Sequence, residues 1–119
     1  MAKGIVLVVE DEPLIRLNAI QIIEDAGYAV VEAANADEAI LILERRADVR
    51  FVFTDINMPG SMDGLKLAHA IRNRWPPIRL IVTSGKVLLK PGELPLDGRF
   101  LAKPYSADQI VSLLSELAA

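Results

Sequence analysis

Six positions in this chain carry side chains that could do chemistry together. Glu10 and Asp11 stand directly after the apolar run "VLVV", and Asp55 closes the run "RFVFTD". Thr83 and Ser84 close "IRLIVTSG", and Lys103 stands before Pro104 in "GRFLAKP". Three carboxylates with no His or Cys beside them favour a hard cation, and Mg²⁺ needs only a few protein oxygens because it keeps much of its water. An ammonium is a point charge suited to a phosphate oxygen, and a hydroxyl can donate to the same group. A carboxylate held near a cation and such donors is a candidate nucleophile for phosphoryl transfer, where positioning and charge stabilisation dominate.

Taken singly, each residue has a plainer reading. Glu10 and Asp11 could solvate a strand end and lead into a helix. Asp55, followed by Asn57, Pro59 and Gly60, could be ordinary turn chemistry. Ser84 could bond nearby backbone, Lys103 could be solvated, and Phe100 could be core. What favours the chemical reading is convergence, and convergence depends on the elements that position these residues.

Those elements alternate. Ile5 to Val9 is a continuous apolar run, as in a strand buried on both faces. Ile15, Ala19, Ile22, Ile23 and Ala26 follow at helical spacing, with Pro13 in the first turn and Gly27 as the stop. "YAVVEA" is a second strand. "NADEAILILERR" begins with Asn35 and, three residues on, Glu38, a start resembling a capping box. "RFVFTD" is a third strand, and "NMPGSMDG" is a turn into a helix with Leu67, Ala68 and Ile71 inward. "IRLIVTSG" and "GRFLAKP" are a fourth and a short fifth strand. The last helix starts at Ser106 with Gln109 as its box partner and shows Ile110, Val111, Leu113, Leu114 and Leu117. Such alternation predicts a parallel sheet with right-handed crossovers and helices on both faces. Ligand sites of doubly wound sheets lie outside the carboxyl ends of the strands, where all the candidates fall. Thr83 and Ser84 compete, since successive strand side chains point to opposite faces. Ser84 is the choice, because Gly85 beside it leaves room.

Composition fits this picture. The 119 residues suit one domain, with 52% hydrophobic and 24% charged residues. There is no cysteine, which excludes a disulfide framework or thiolate metal site and accords with a cytoplasmic setting. A net charge of −3 argues against a nucleic-acid surface. No apolar run reaches the roughly 20 residues needed to span a bilayer. "MAKGIVLVV" reads as a strand and not a signal peptide.

With these motifs in order, "VLVVEDE", "VFTDINMPG", "MDG", "IVTSG" and "FLAKPY", the chain resembles the receiver domain of bacterial two-component response regulators. The resemblance implies a CheY-like, flavodoxin-like doubly wound sheet of five parallel strands in the order 2-1-3-4-5. It implies phosphorylation of Asp55 and a Mg²⁺ site made by Asp11, Asp55, the Asn57 main-chain carbonyl and, mostly through water, Glu10. Ser84 would bond the phosphoryl group and Lys103 would pair with it. The bond to Pro104 would be cis. Ser84 and Phe100 would form the switch, while Asn57 and Lys86 would tune dephosphorylation. Residues 1–119 would be a single receiver domain without an output domain, catalysing only its own phosphorylation and slow dephosphorylation. Its partners would be a histidine kinase or phosphotransfer protein and a downstream protein that the sequence does not name. It would bind neither nucleic acid nor membrane directly and would be a monomer or weak dimer in the cytoplasm.

Three departures from the family pattern stand out. The acid pair is Glu-Asp where Asp-Asp is commoner, and "MPGSMDG" is one residue longer than usual. The family's fourth helix would fall in "KVLLKPGELPLDG", where Pro91, Gly92 and Pro95 break any long helix. At most a short turn around Lys86 to Leu89 is expected, in an otherwise irregular segment. His69 reads as an exposed helix residue and Trp75 as packing at a helix end. The competing readings are a degenerate receiver acting as a docking module and a TOPRIM-type Mg²⁺-dependent enzyme. The second wants an Asp-x-Asp that this chain lacks, since Asp55 is followed two residues on by Asn57. A haloacid-dehalogenase-type phosphatase would want the same motif after the first strand.

Overall fold

Burial of apolar strand residues on both faces decides the architecture. A computed structural model describes residues 3–86, 89–90 and 92–118. In chain order the elements are β1 (Ile5–Val9), α1 (Pro13–Asp25), β2 (Ala29–Ala33), α2 (Ala36–Arg45), β3 (Val49–Asp55), α3 (Gly64–Arg74), β4 (Arg79–Ser84), β5 (Arg99–Ala102) and α4 (Ala107–Ala118). The five strands form one parallel sheet in the order β2-β1-β3-β4-β5, as the resemblance implies.

The period-two geometry of strands splits the core. Val6, Val8, Phe51, Phe53 and Ile81 point to one face and pack with Ala19, Ile20 and Ile23 of α1 and Ile110, Leu114 and Leu117 of α4. Leu7, Val9, Val52, Leu80 and Val82 point to the other and pack with Ala36, Ala39 and Leu43 of α2 and Leu67, Ala68 and Ile71 of α3. β1 is therefore apolar throughout, and β3 and β4 are apolar along their middles, Phe51 to Phe53 and Leu80 to Val82, because neither face meets water there.

Local chemistry sets the helix ends. Pro13 opens α1, where a missing N–H costs nothing. Gly27 takes a φ of 101° just beyond it, which a residue with a side chain rarely adopts. Asn35 accepts from the Glu38 amide at 2.9 Å, while the Glu38 carboxylate accepts from Ala34 at 3.1 Å. Ser106 and Gln109 exchange reciprocal bonds of 2.8 and 3.1 Å, a full capping box.

Two details differ from the periodicity reading. Ile15 is 36% exposed, and Ile20 takes the core position instead. The first turn of α1 starts beyond the end of β1, so Ile15 overhangs the sheet edge. Val111 is likewise exposed, on the outer side of α4. Between β4 and β5, residues 89–90 and 92–98 contain no helix, in keeping with the helix breakers there. The short turn expected around Lys86 to Leu89 falls largely on residues 87 and 88, outside the described residues. This connection is held from outside itself. His69 Nε2 donates to the Glu93 carbonyl at 2.7 Å, and Arg72 Nε donates to the Leu96 carbonyl at 2.8 Å.

Ile81 is fully buried in the middle of the sheet. Ile81→Ala is expected to cost about 2–5 kcal/mol in urea unfolding, whereas Leu41→Ala, at a half-exposed site on α2, should cost about 1 kcal/mol or less.

Candidate functional site

Register brings the candidates into one row. Val9 of β1 lies beside Thr54 of β3, so the next residues, Glu10 and Asp55, emerge together. Asp55 lies beside Thr83, and Ser84 beside Ala102, which places Lys103 at the same edge. Here Lys103 Nζ bonds Glu10 Oε1 at 2.9 Å and Asp55 Oδ1 at 3.2 Å. The Glu10 amide donates to the Ala33 carbonyl at 3.0 Å, tying the same edge to β2.

Glu10 and Asp55 are both buried, and burial disfavours their charged forms. Desolvation raises the Glu10 pKa above its ordinary value, against bonds from Lys103 and the Glu12 amide that lower it; the Asp55 charge adds to the rise. Asp55 is raised in the same way, by burial first, with Lys103 lowering it and the Asp11 charge raising it. Burial opposes the Lys103 charge, but its bonds to Glu10 and the field of Asp55 prevail and raise its pKa.

One oxygen from each of Glu10, Asp11 and Asp55 can lie within 4.8 Å of the others. Three carboxylates against one ammonium leave a surplus of negative charge that a hard dication would neutralise. An all-oxygen donor set is what such an ion takes. Asp11, Asp55, Asn57, Lys86 and Lys103 line an open cavity of about 400 Å³. The inorganic chemistry and the room for a small phosphorylated group therefore coincide.

Ser84 is buried at the end of β4, next to Gly85 and Lys86 of the cavity wall. Its Oγ accepts from Asn57 Nδ2 and from the Lys86 amide, each at 3.1 Å. Thr83, one residue earlier, faces the opposite side of the sheet, as strand alternation requires. The Lys103–Pro104 peptide bond is cis. Phe100 lies apart from the carboxylates: it is half-buried on β5 and lines a groove between β5 and α4.

Two residues of the site were not singled out from the sequence for their contacts. Gly64 opens α3, and a Cβ there would stand 1.8 Å from the Asp55 carbonyl oxygen. Its amide bonds the Ile56 carbonyl at 2.9 Å, so the helix start rests on the backbone of the strand end. Asp63 caps the same helix by accepting from the Lys66 amide at 2.9 Å. An Asp-Gly pair before a helical pattern was the available signal. The other residue is Arg16, whose Nη1 donates to the Glu10 carbonyl at 2.8 Å.

Gly64→Ala forces the α3 start away from Asp55 and is expected to cost roughly 3 kcal/mol or more in urea unfolding. The acid cluster also predicts a pH effect. Because the folded-state pKa of Asp55 is raised, the folded chain binds more protons than the unfolded one as pH rises through the carboxylate range, and it loses stability over that window. In metal-free buffer Asp55→Asn should therefore be more stable relative to the parent at pH 7 than at pH 4, measured by urea unfolding at both.

Comparison with known proteins places this geometry. The chain is 36% identical over 116 residues to the sensor kinase CckA of Brucella abortus, covering 94% of this chain and 12% of that protein. It is 33% identical over 111 residues to the nitrogen assimilation regulatory protein NtrX of Azorhizobium caulinodans, covering 89% of this chain and 24% of that protein. The chain thus spans a quarter or less of either relative's length. Among solved structures, the receiver domain of the hybrid histidine kinase CckA matches with a TM-score of 0.83 and 27% identity, over 98% of this chain and all of that one. A response regulator receiver protein from Sinorhizobium medicae matches with a TM-score of 0.90 and 27% identity, over 97% of this chain and 94% of that one. The family model for the response regulator receiver domain matches residues 6–115. The chain belongs to the response regulator receiver domain family, a family of signalling modules, and neither the docking-module nor the TOPRIM reading finds support.

Proposed function

We propose that Asp55 is the phosphoacceptor of a two-component phosphorelay and that residues 1–119 act as one receiver domain. The observation that carries this is the contact of Lys103 Nζ with Asp55 Oδ1, inside an acid cluster open to a cavity. An Asp55 oxygen attacks the phosphorus of a phosphohistidine on a histidine kinase or phosphotransfer protein. The P–N bond breaks, and its electron pair leaves on the imidazole nitrogen, which takes a proton from water. The product is an aspartyl phosphate. Hydrolysis later returns Asp55 and inorganic phosphate.

Lys103 serves as the cation for a phosphoryl oxygen, moving from the carboxylates it now bridges. Asp11 and Asp55, with the Asn57 carbonyl and Glu10, would hold Mg²⁺, which supplies positive charge against the phosphoryl oxygens. Asn57, which lines the cavity, is already bonded to the buried Ser84 hydroxyl. A phosphoryl group that pulls the Ser84 oxygen toward it would lengthen or redirect that bond. In the proposed switch Phe100 follows, and the surface around β5 changes for a downstream protein. Lys86 also lines the cavity and, being unable to orient a water as a carboxylate would, favours a longer-lived phosphoryl group. Leu14 and Leu17 are 80% and 60% exposed on α1 beside the cavity, giving the phosphodonor an apolar surface to cover. No helix among the described residues is long and apolar enough to cross a membrane, which suits a cytoplasmic relay. The only reactions catalysed are the chain's own phosphorylation and slow dephosphorylation.

The test is incubation with Mg²⁺ and acetyl phosphate, followed by intact-mass measurement. One phosphoryl adduct is expected on the parent chain and none on Asp55→Asn. A parent chain that gains no adduct while binding Mg²⁺ would overturn the reading.

A further inference from the structure

Asp11 is the least anchored acid of the cluster. Every polar group of Glu10 is held: its amide by Ala33, its carbonyl by Arg16, and its two carboxylate oxygens by Lys103 and the Glu12 amide. Among the described residues, no hydrogen bond or ion pair holds the Asp11 carboxylate. Its place is therefore set by the backbone that carries it. The Glu10 carbonyl belongs to the peptide plane that runs on to the Asp11 Cα, and planarity makes that plane rigid. A bond to the carbonyl consequently restrains the position of the Asp11 Cα, from which the side chain departs.

Arg16 makes that bond at 2.8 Å from one nitrogen of its guanidinium, and Nε bonds Glu32 Oε1 of β2 at 3.0 Å. Its side chain is only 19% exposed. The planar fork of an arginine can span two acceptors set at a fixed angle, which a lysine cannot. One residue of α1 thereby ties the loop after β1 to the end of β2.

We infer that Arg16 is a positioning residue for the cation site: it orients the Glu10–Asp11 peptide so that Asp11 points into the cluster before any ion arrives. This rests on the receiver reading above. Residues that orient metal ligands typically change affinity by about 10–100-fold when removed.

The experiment titrates Mg²⁺ alone into the parent chain, Arg16→Ala and Arg16→Lys by calorimetry, with urea unfolding in EDTA run beside each. Both variants are expected to bind Mg²⁺ about tenfold more weakly while folded, and their Asp11 and Glu12 amide resonances should shift in metal-free protein. A role confined to holding the fold would lower the urea midpoint and leave the affinity of folded protein unchanged. Affinity within twofold of the parent in a folded variant overturns the inference. If Arg16→Ala does not fold, Arg16→Lys decides. A parent chain that fails to bind Mg²⁺ would instead sink the receiver reading, and this inference with it.

Discussion

The structure turns on a cost: Glu10 and Asp55 are carboxylates taken out of water at the end of a buried sheet. Such burial is unfavourable unless the charge is paired and bonded. Lys103 partners both, from the end of a strand that lies three places from β1 and two from β3 in the sheet. The partnership is incomplete, since both carboxylates still have raised pKa values. That residual strain in charge is useful. A cluster too negative for its setting attracts a cation, and a cluster with one mobile ammonium can hand that ammonium to a new anion. A fully neutralised site could do neither.

Parallel pairing is what makes this arrangement affordable. All five strands end at one edge, so β1, β3, β4 and β5 each bring a residue to it without any loop having to reach across, and β2 anchors the Glu10 amide. The two core layers beneath, one against α1 and α4 and one against α2 and α3, keep that edge in register.

Much of this was legible in the sequence, for physical reasons. Continuous apolar runs such as Ile5 to Val9 announce strands covered on both faces, and a covered parallel sheet places its site at the carboxyl ends. Hence Glu10, Asp55, Ser84 and Lys103 could be grouped before any contact was known. Periodicity did less well at Ile15, because spacing along a helix does not tell where the sheet beneath it stops. Arg16 was not legible either. A guanidinium bonded to a main-chain carbonyl leaves no mark in the pattern of side-chain types, and on α1 it looks like any solvated arginine. The close approach of Gly64 to Asp55 had a trace in "MDG", but a glycine letter alone does not say which backbone it makes room for.

The connection between β4 and β5 carries a consequence of its own. Its described residues have no helical ladder, and two of their carbonyls are gripped by His69 and Arg72 of α3. The same helix begins with Gly64 pressed against Asp55. One rigid rod thus rests on the acidic edge at its head and grasps the connection along its flank. Through these contacts α3 links the acidic edge to the segment leading to Phe100 and Lys103 by a route outside the sheet. In engineering terms α3 is a lever, and its load is the stretch of chain where receivers of more regular build carry a helix.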